Sequence, residues 1–222
     1  ISCTRRLWYN KQMLETILFV VILILSIVLH ELAHGYAANW LGDPTARLAG
    51  RLTLNPVRHI DPLGSVLIPA LLYLTQAPFL FGWAKPVPYN PYNLRNQRWG
   101  ESFVAAAGPL TNLLLAAIFA SFIRLSDIFG FSGAFLEVAS FIVLINIVLA
   151  LFNAIPFPPL DGSKIIAPFL PFGIAQKYQA LGQMVERLGF IGLFLIIFLF
   201  INVFSGPFAR LVGMIHGAFI GI

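Results

Sequence analysis

His30-Glu31-Leu32-Ala33-His34 sets two imidazoles four residues apart with a carboxylate between them. On a helix that spacing puts both rings on one face, where they can share one zinc. The glutamate is then placed to take a proton from a water at the metal. Residues 17–29 before the motif are apolar except for Ser26, and Tyr36, Ala37, Ala38, Trp40 and Leu41 follow it. An ionisable side chain at membrane depth costs about 2.5–3.5 kcal/mol on insertion scales and marks function by default. The chemistry implied is a hydrolytic metal centre inside a bilayer. The competing reading, two interfacial histidines with a snorkelling glutamate, has no driving force in so apolar a setting.

The composition agrees with a membrane setting. Of the 222 residues 59% are hydrophobic and only 10% charged, against about 25% charged in a soluble domain. The length suits a single membrane domain over residues 1–222, with no room for an appended soluble module. One cysteine, Cys3, excludes an intramolecular disulfide framework. The net charge of +5 does not point to nucleic acid, because the basic residues are scattered through loops, as the positive-inside bias produces. Arg5, Arg6 and Lys11 ahead of an apolar run resemble a signal peptide. That run leads straight into the metal motif, however, with no small-residue cleavage site after it.

The elements that must position the motif follow from the apolar runs. Residues 14–41 form a first helix, ended by Gly42-Asp43-Pro44. Further helices are expected at 102–123, 134–155 and 188–204, with a polar interfacial helix at 175–187. A weaker run at 63–81 carries Pro69, Thr75, Gln76 and Pro78, and the apolar tail 207–222 is interrupted by Arg210 and His216. The late alternation in residues 46–55 predicts one or two short strands. The expected fold is an all-α polytopic membrane protein with a three-helix catalytic core at 14–41, 102–123 and 134–155.

Catalytic zinc usually takes three protein ligands and leaves a position for water. The candidates for the third are Asp43, His59, Asp61, Asp127, Asp161, Glu101, Glu137, Glu186 and His216. Asp161 stands out because prolines 156, 158 and 159 break an apolar helix just before it. Irregular backbone at membrane depth is tolerated where it is buried in protein or lines a wet cavity. A simple helix-ending Asp-Gly turn competes with this reading. His59 and Asp61 are candidates to orient the ligands from behind, or else members of a turn held by Asx hydrogen bonds.

Taken together, His30-Glu31-Leu32-Ala33-His34 and Pro158-Pro159-Leu160-Asp161-Gly162 resemble the signatures of the site-2 protease family of intramembrane zinc metalloproteases. Gly108-Pro109-Leu110-Thr111-Asn112 is similar to that family's middle-helix motif. Gly50-Arg51, Asn55-Pro56 and His59-Ile60-Asp61-Pro62 resemble its compact prokaryotic members, which lack PDZ and CBS domains. The resemblance covers residues 14–164. It implies zinc held by His30, His34 and Asp161, Glu31 as catalytic base, and Asn153 and Asn112 at the substrate.

If every apolar run crossed, His34 and Asp161 would lie on opposite sides of a hydrocarbon layer about 30 Å thick, which one metal cannot bridge. Residues 63–81 are therefore expected to be re-entrant or interfacial. The site then faces the side where Arg47, Arg51, Arg58, Lys85, Arg95 and Arg98 gather, the cytosol of a prokaryotic inner membrane. The implied partners are a transmembrane protein substrate and the lipid bilayer. An exposed strand edge at Arg51, Leu52, Thr53 and Leu54 would pair with an unwound substrate. A metal-binding transporter without proteolytic activity is the alternative function, and it gives Glu31 no special task.

Overall fold

Among the described residues four stretches are long and apolar enough to cross a bilayer: Thr16–Trp40, Gly100–Arg124, Gly133–Asn153 and Phe200–Ile220. They belong to a computed structural model that describes residues 3–76 and 82–221. Helix α1 (Cys3–Trp40) is followed by a single turn, α2 (Thr45–Leu48). The short helix α3 (Ile68–Leu74) is followed in chain order by α4 (Gly100–Arg124), then α5 (Ser126–Phe129) and α6 (Gly133–Asn153). Beyond them come α7 (Asp161–Ile166), α8 (Phe172–Leu188), α9 (Phe190–Leu199) and α10 (Ser205–Ile220). At 1.5 Å per residue α4 is about 37 Å long, enough to cross the hydrocarbon layer with some tilt.

The centre of the bundle is α4, which packs against α1, α6 and α10. Ala116 and Ala120, one turn apart, let α6 and α10 approach closely, and Val143, Ile147 and Val212 fill the contact. Leu110, Leu114, Leu195 and Phe198 point outward, as lipid-facing side chains do. Arg124 closes the far end by donating to the carbonyls of Ala218 and Phe219.

Two expectations need correction. Among the described residues there is no strand, so the strands expected at 46–55 do not form. Asp43 accepts hydrogen bonds from the Thr45 amide and hydroxyl at 3.2 and 2.5 Å, which starts the α2 turn. Gly50, at φ +62°, ends that turn. Asn55 then caps the 3-10 turn Pro56–His59, and no neighbouring segment supplies a ladder. The second correction concerns the carboxy-terminal region, where the helix expected at 188–204 and the tail are not separate. α9 continues through a π-type stretch, Phe200–Phe204, into α10. Pro207 has no N–H and its ring crowds the carbonyl four residues back, so the helix widens just ahead of it.

The weak run forms no membrane-length helix among the described residues. A six-residue π-type stretch, Pro62–Leu67, runs directly into the seven residues of α3, together still well short of the roughly 20 needed to span. The chain is back beside its starting point at Trp83, whose amide donates to the Gly64 carbonyl at 3.2 Å. The Ser65 hydroxyl donates to the Trp83 carbonyl at 2.8 Å. The remainder of the run, 77–81, lies outside the described residues.

Candidate metal centre

The rings of His30 and His34 project from the later half of α1 into the contact with α4, where both are buried (6% and 9% exposed). Gly108 makes this possible. A Cβ there would stand 2.5 Å from His34 Nε2 and 2.6 Å from His30 Cε1 and Nε2, so only glycine lets the α4 backbone lie against both rings. Pro109 follows it and removes the N–H that would bond the carbonyl four residues back. One residue before the Ala105 carbonyl that Pro109 leaves unpaired, the Val104 carbonyl accepts a hydrogen bond from His34 Nδ1 at 2.7 Å.

His30 Nδ1 donates to Asn112 Oδ1 at 2.5 Å. The amide of Asn112 is oriented in turn. Its Nδ2 donates to Asn146 Oδ1 at 2.8 Å, and Asn146 Nδ2 donates to Ser26 Oγ at 3.0 Å and the Ile142 carbonyl at 2.9 Å. Both asparagines are completely buried. This relay through α1, α4 and α6 settles the tautomer of His30, as the Val104 carbonyl does for His34. With each proton on Nδ1, both Nε2 lone pairs are free.

Asp161 arrives from the break after α6. Gly162 holds it there: a Cβ at that position would stand 2.2 Å from the Ala154 carbonyl and 2.4 Å from that of Ile155. The first turn of α7 therefore nests directly on the end of α6. Ser102 Oγ donates to the Ile165 carbonyl at 2.9 Å and ties α7 to α4. Asp161 Oδ2 lies 3.1 Å from His30 Nε2 and 3.3 Å from His34 Nε2, and the two Nε2 atoms are 3.0 Å apart. Three lone-pair-bearing atoms thus converge with no proton between them. Tetrahedral zinc with bonds of about 2.0–2.1 Å places its ligand atoms roughly 3.4 Å apart, so the set fits zinc. Among the described residues this is the group able to share a metal ion.

The remaining sequence candidates fall elsewhere. Glu31 accepts the Val87 amide at Oε2, 2.8 Å away. Asn112 is fully buried as the internal partner of His30 and Asn146. Asn153, half-buried at the end of α6, donates to the Leu149 carbonyl of its own helix at 2.9 Å. Arg51 points inward and donates to the carbonyls of Lys85 and Pro86 at 2.9 and 3.3 Å. Leu52 packs near Gly35, the Thr53 carbonyl accepts from His59 Nε2 at 2.9 Å, and Leu54 is exposed.

His59 and Asp61 act on the loop rather than on the metal ligands. His59 pins the chain at Thr53, and Asp61 Oδ1 caps the turn at Pro62 by accepting the Leu63 and Gly64 amides at 2.9 and 2.8 Å. Asp43, fully buried, accepts from Thr45, from the Asn90 amide at 2.6 Å and from Asn93 Nδ2 at 2.8 Å. Burial alone would raise its pKa, but the hydrogen bonds from Thr45, Asn93 and Asn90 outweigh it and hold the carboxyl below its ordinary value. Sequence reasoning missed Asn146, Ser26 and Val87. The first two carried a signal, as polar residues in apolar spans; a backbone amide carries none.

Comparison with known proteins agrees with this geometry. The chain matches Peptidase family M50 over residues 18–204. It is 39% identical over 200 residues to a Bacillus subtilis protein named "Putative zinc metalloprotease YwhC", covering 87% of this chain and 84% of that one. It is 32% identical over 149 residues to "Putative zinc metalloprotease Rip2" of Mycobacterium tuberculosis, covering 66% of this chain and 55% of the relative. The Mycolicibacterium smegmatis protein of the same name is 28% identical over 155 residues, with 66% and 55% covered. No solved structure matches significantly. The chain is thus an all-α polytopic membrane protein that belongs to Peptidase family M50, the site-2 protease family.

Proposed function

We propose that this protein is an intramembrane zinc metalloprotease that hydrolyses peptide bonds within or beside transmembrane segments of other membrane proteins. The observation that carries the reading is the convergence of His30 Nε2, His34 Nε2 and Asp161 Oδ2 within 3.3 Å, beside Glu31 and inside a bundle of membrane-length helices. His30, His34 and Asp161 would hold zinc, which when bound supplies Lewis acidity for attack of water on a peptide carbonyl. Glu31 takes the proton of the attacking water at Oε1, its other oxygen being held by the Val87 amide, and passes it to the leaving amine. Asn112 and the Val104 carbonyl keep both imidazoles in the tautomer that presents Nε2.

The donor set lies close to one end of the bundle. Only six residues separate His34 from the end of α1, about 9 Å of helix, and Asp161 follows α6 directly. The loops at this end carry Arg47, Arg51, Arg58, Lys85, Arg95 and Arg98, which supports a site opening towards the cytosol of a prokaryotic cell membrane. A helical substrate hides its peptide bonds in its own hydrogen-bond ladder and must unwind before attack. In the absence of strands at 46–55, pairing along that edge has no support.

The test uses the purified chain reconstituted with a single-span substrate. Cleavage within or next to the span should stop on treatment with a zinc chelator and return on adding zinc. Zinc-loaded protein that binds the substrate without cutting it would sink the proposal and favour a transport or scaffold function.

A further inference from the structure

Residues 82–90 read Gly-Trp-Ala-Lys-Pro-Val-Pro-Tyr-Asn. Prolines at 86 and 88 remove two amide donors and favour an extended backbone, so the segment can build neither a helix nor a sheet ladder. Its amides go instead to fixed partners. Trp83 N–H donates to the Gly64 carbonyl, Lys85 N–H to the His59 carbonyl at 2.8 Å, and Asn90 N–H to Asp43. The Val87 N–H, isolated between the two prolines, donates to Glu31 Oε2 at 2.8 Å.

The segment is fastened to every element that carries a site residue. Arg51 grips its carbonyls at Lys85 and Pro86. Tyr89 donates its hydroxyl to Glu101 on α4 at 2.9 Å and accepts from Lys164 at 3.0 Å, and Lys164 stands one turn beyond Asp161 on α7. The Val87 side chain is buried against Gly35, the residue after His34; a Cβ on Gly35 would stand 2.7 Å from Val87 Cγ1. Burial pushes the Tyr89 hydroxyl up to about 12, the nearby Lys164 lowering it and Glu101 raising it, so it remains a proton donor at neutral pH.

We propose that this strap is the positioning device for Glu31, with Val87 as the positioning residue. Its backbone N–H holds Oε2 and turns Oε1 towards the metal face. The glutamate has three rotatable bonds and sits half-buried at the bundle end, where the strap restricts it to one orientation. Arg51 and His59 thereby gain a task that neither substrate contact nor metal support explains: they set the height of the strap. The inference rests on the proteolytic reading for its kinetic consequence but not for the contact itself.

Val87→Pro deletes the N–H in a segment already extended, and Val87→Ala keeps it. The expected result, with the full chain and a single-span substrate, is a kcat about tenfold or more lower in V87P, with KM and zinc content unchanged. V87A should recover kcat to within about threefold of the wild type. Equal or faster turnover in V87P overturns the proposal, as does a loss shared equally by V87A or accompanied by loss of zinc. A second readout needs no activity: in protein labelled with 15N-valine, the Val87 amide proton should lie downfield and move upfield in Glu31→Gln. An amide unmoved by that substitution overturns the contact, whereas a wild type that fails to cleave while the amide moves counts against proteolysis alone.

Discussion

Replacing Asn146 by leucine tests the reach of the relay that orients His30. Asn146 touches neither metal donor, yet it holds Asn112 Nδ2 at 2.8 Å and is itself held by Ser26 and the Ile142 carbonyl. In Asn146→Leu the Asn112 Nδ2 keeps only the Ser26 carbonyl at 3.5 Å. A buried amide left unsatisfied costs about 1–3 kcal/mol. It can escape by flipping, but that presents an NH2 group to His30 Nδ1 and drives the ring towards the opposite tautomer, with Nε2 protonated. The metal then loses a lone pair. Zinc binding must then reverse the flip, which predicts affinity weaker by about 10–100-fold, or roughly 1.4–2.7 kcal/mol, in line with the desolvation figure. Zinc affinity measured by chelator competition on the purified protein in detergent is the assay. Wild-type affinity in N146L would refute the relay.

Other outcomes follow from single contacts. Gly108→Ala should abolish zinc binding, because its Cβ collides with both imidazoles, whereas Gly213→Ala, with open space around it, should bind zinc like the wild type; metal content of the two variants decides. Gly162→Ala should lift the first turn of α7 off the Ala154 carbonyl and lower zinc content by displacing Asp161. Asp43 makes the loop acid-sensitive. Its folded pKa lies below the ordinary 3.8, so its stabilising contribution is full above that value and is lost as pH falls through the folded one. The Tm difference between wild type and Asp43→Asn should therefore shrink below about pH 4, and a constant difference would contradict the assignment.

Much of the fold was legible because membrane-length apolar runs and proline breaks are local signals. The stretches 14–41, 102–123 and 134–155 correspond to α1, α4 and α6, and the requirement that one metal meet both His34 and Asp161 is consistent with the return of the chain to Gly64 at Trp83. The short strands were misread because alternation at 46–55 arises without a pairing partner: Leu52 and Arg51 turn inward towards the strap, while Leu54 faces out. The motif at 108–112 names Asn112 without saying which neighbouring helix covers it, so its bond to Asn146 on α6 was not legible. Val87 could not have been found from its side chain, since what it offers Glu31 is a backbone amide delivered by tertiary packing. Of the two readings of His59 and Asp61, ligand support or an Asx-bonded turn, the contacts seen are those of the turn.

The most direct measurement is zinc content and substrate cleavage determined together for wild type, Glu31→Gln and Asp161→Ala. The account predicts that Glu31→Gln retains its zinc and loses cleavage by a factor of about 10² or more, while Asp161→Ala loses most of both. Proteolysis that persists in Glu31→Gln, or full zinc occupancy in Asp161→Ala, would contradict it.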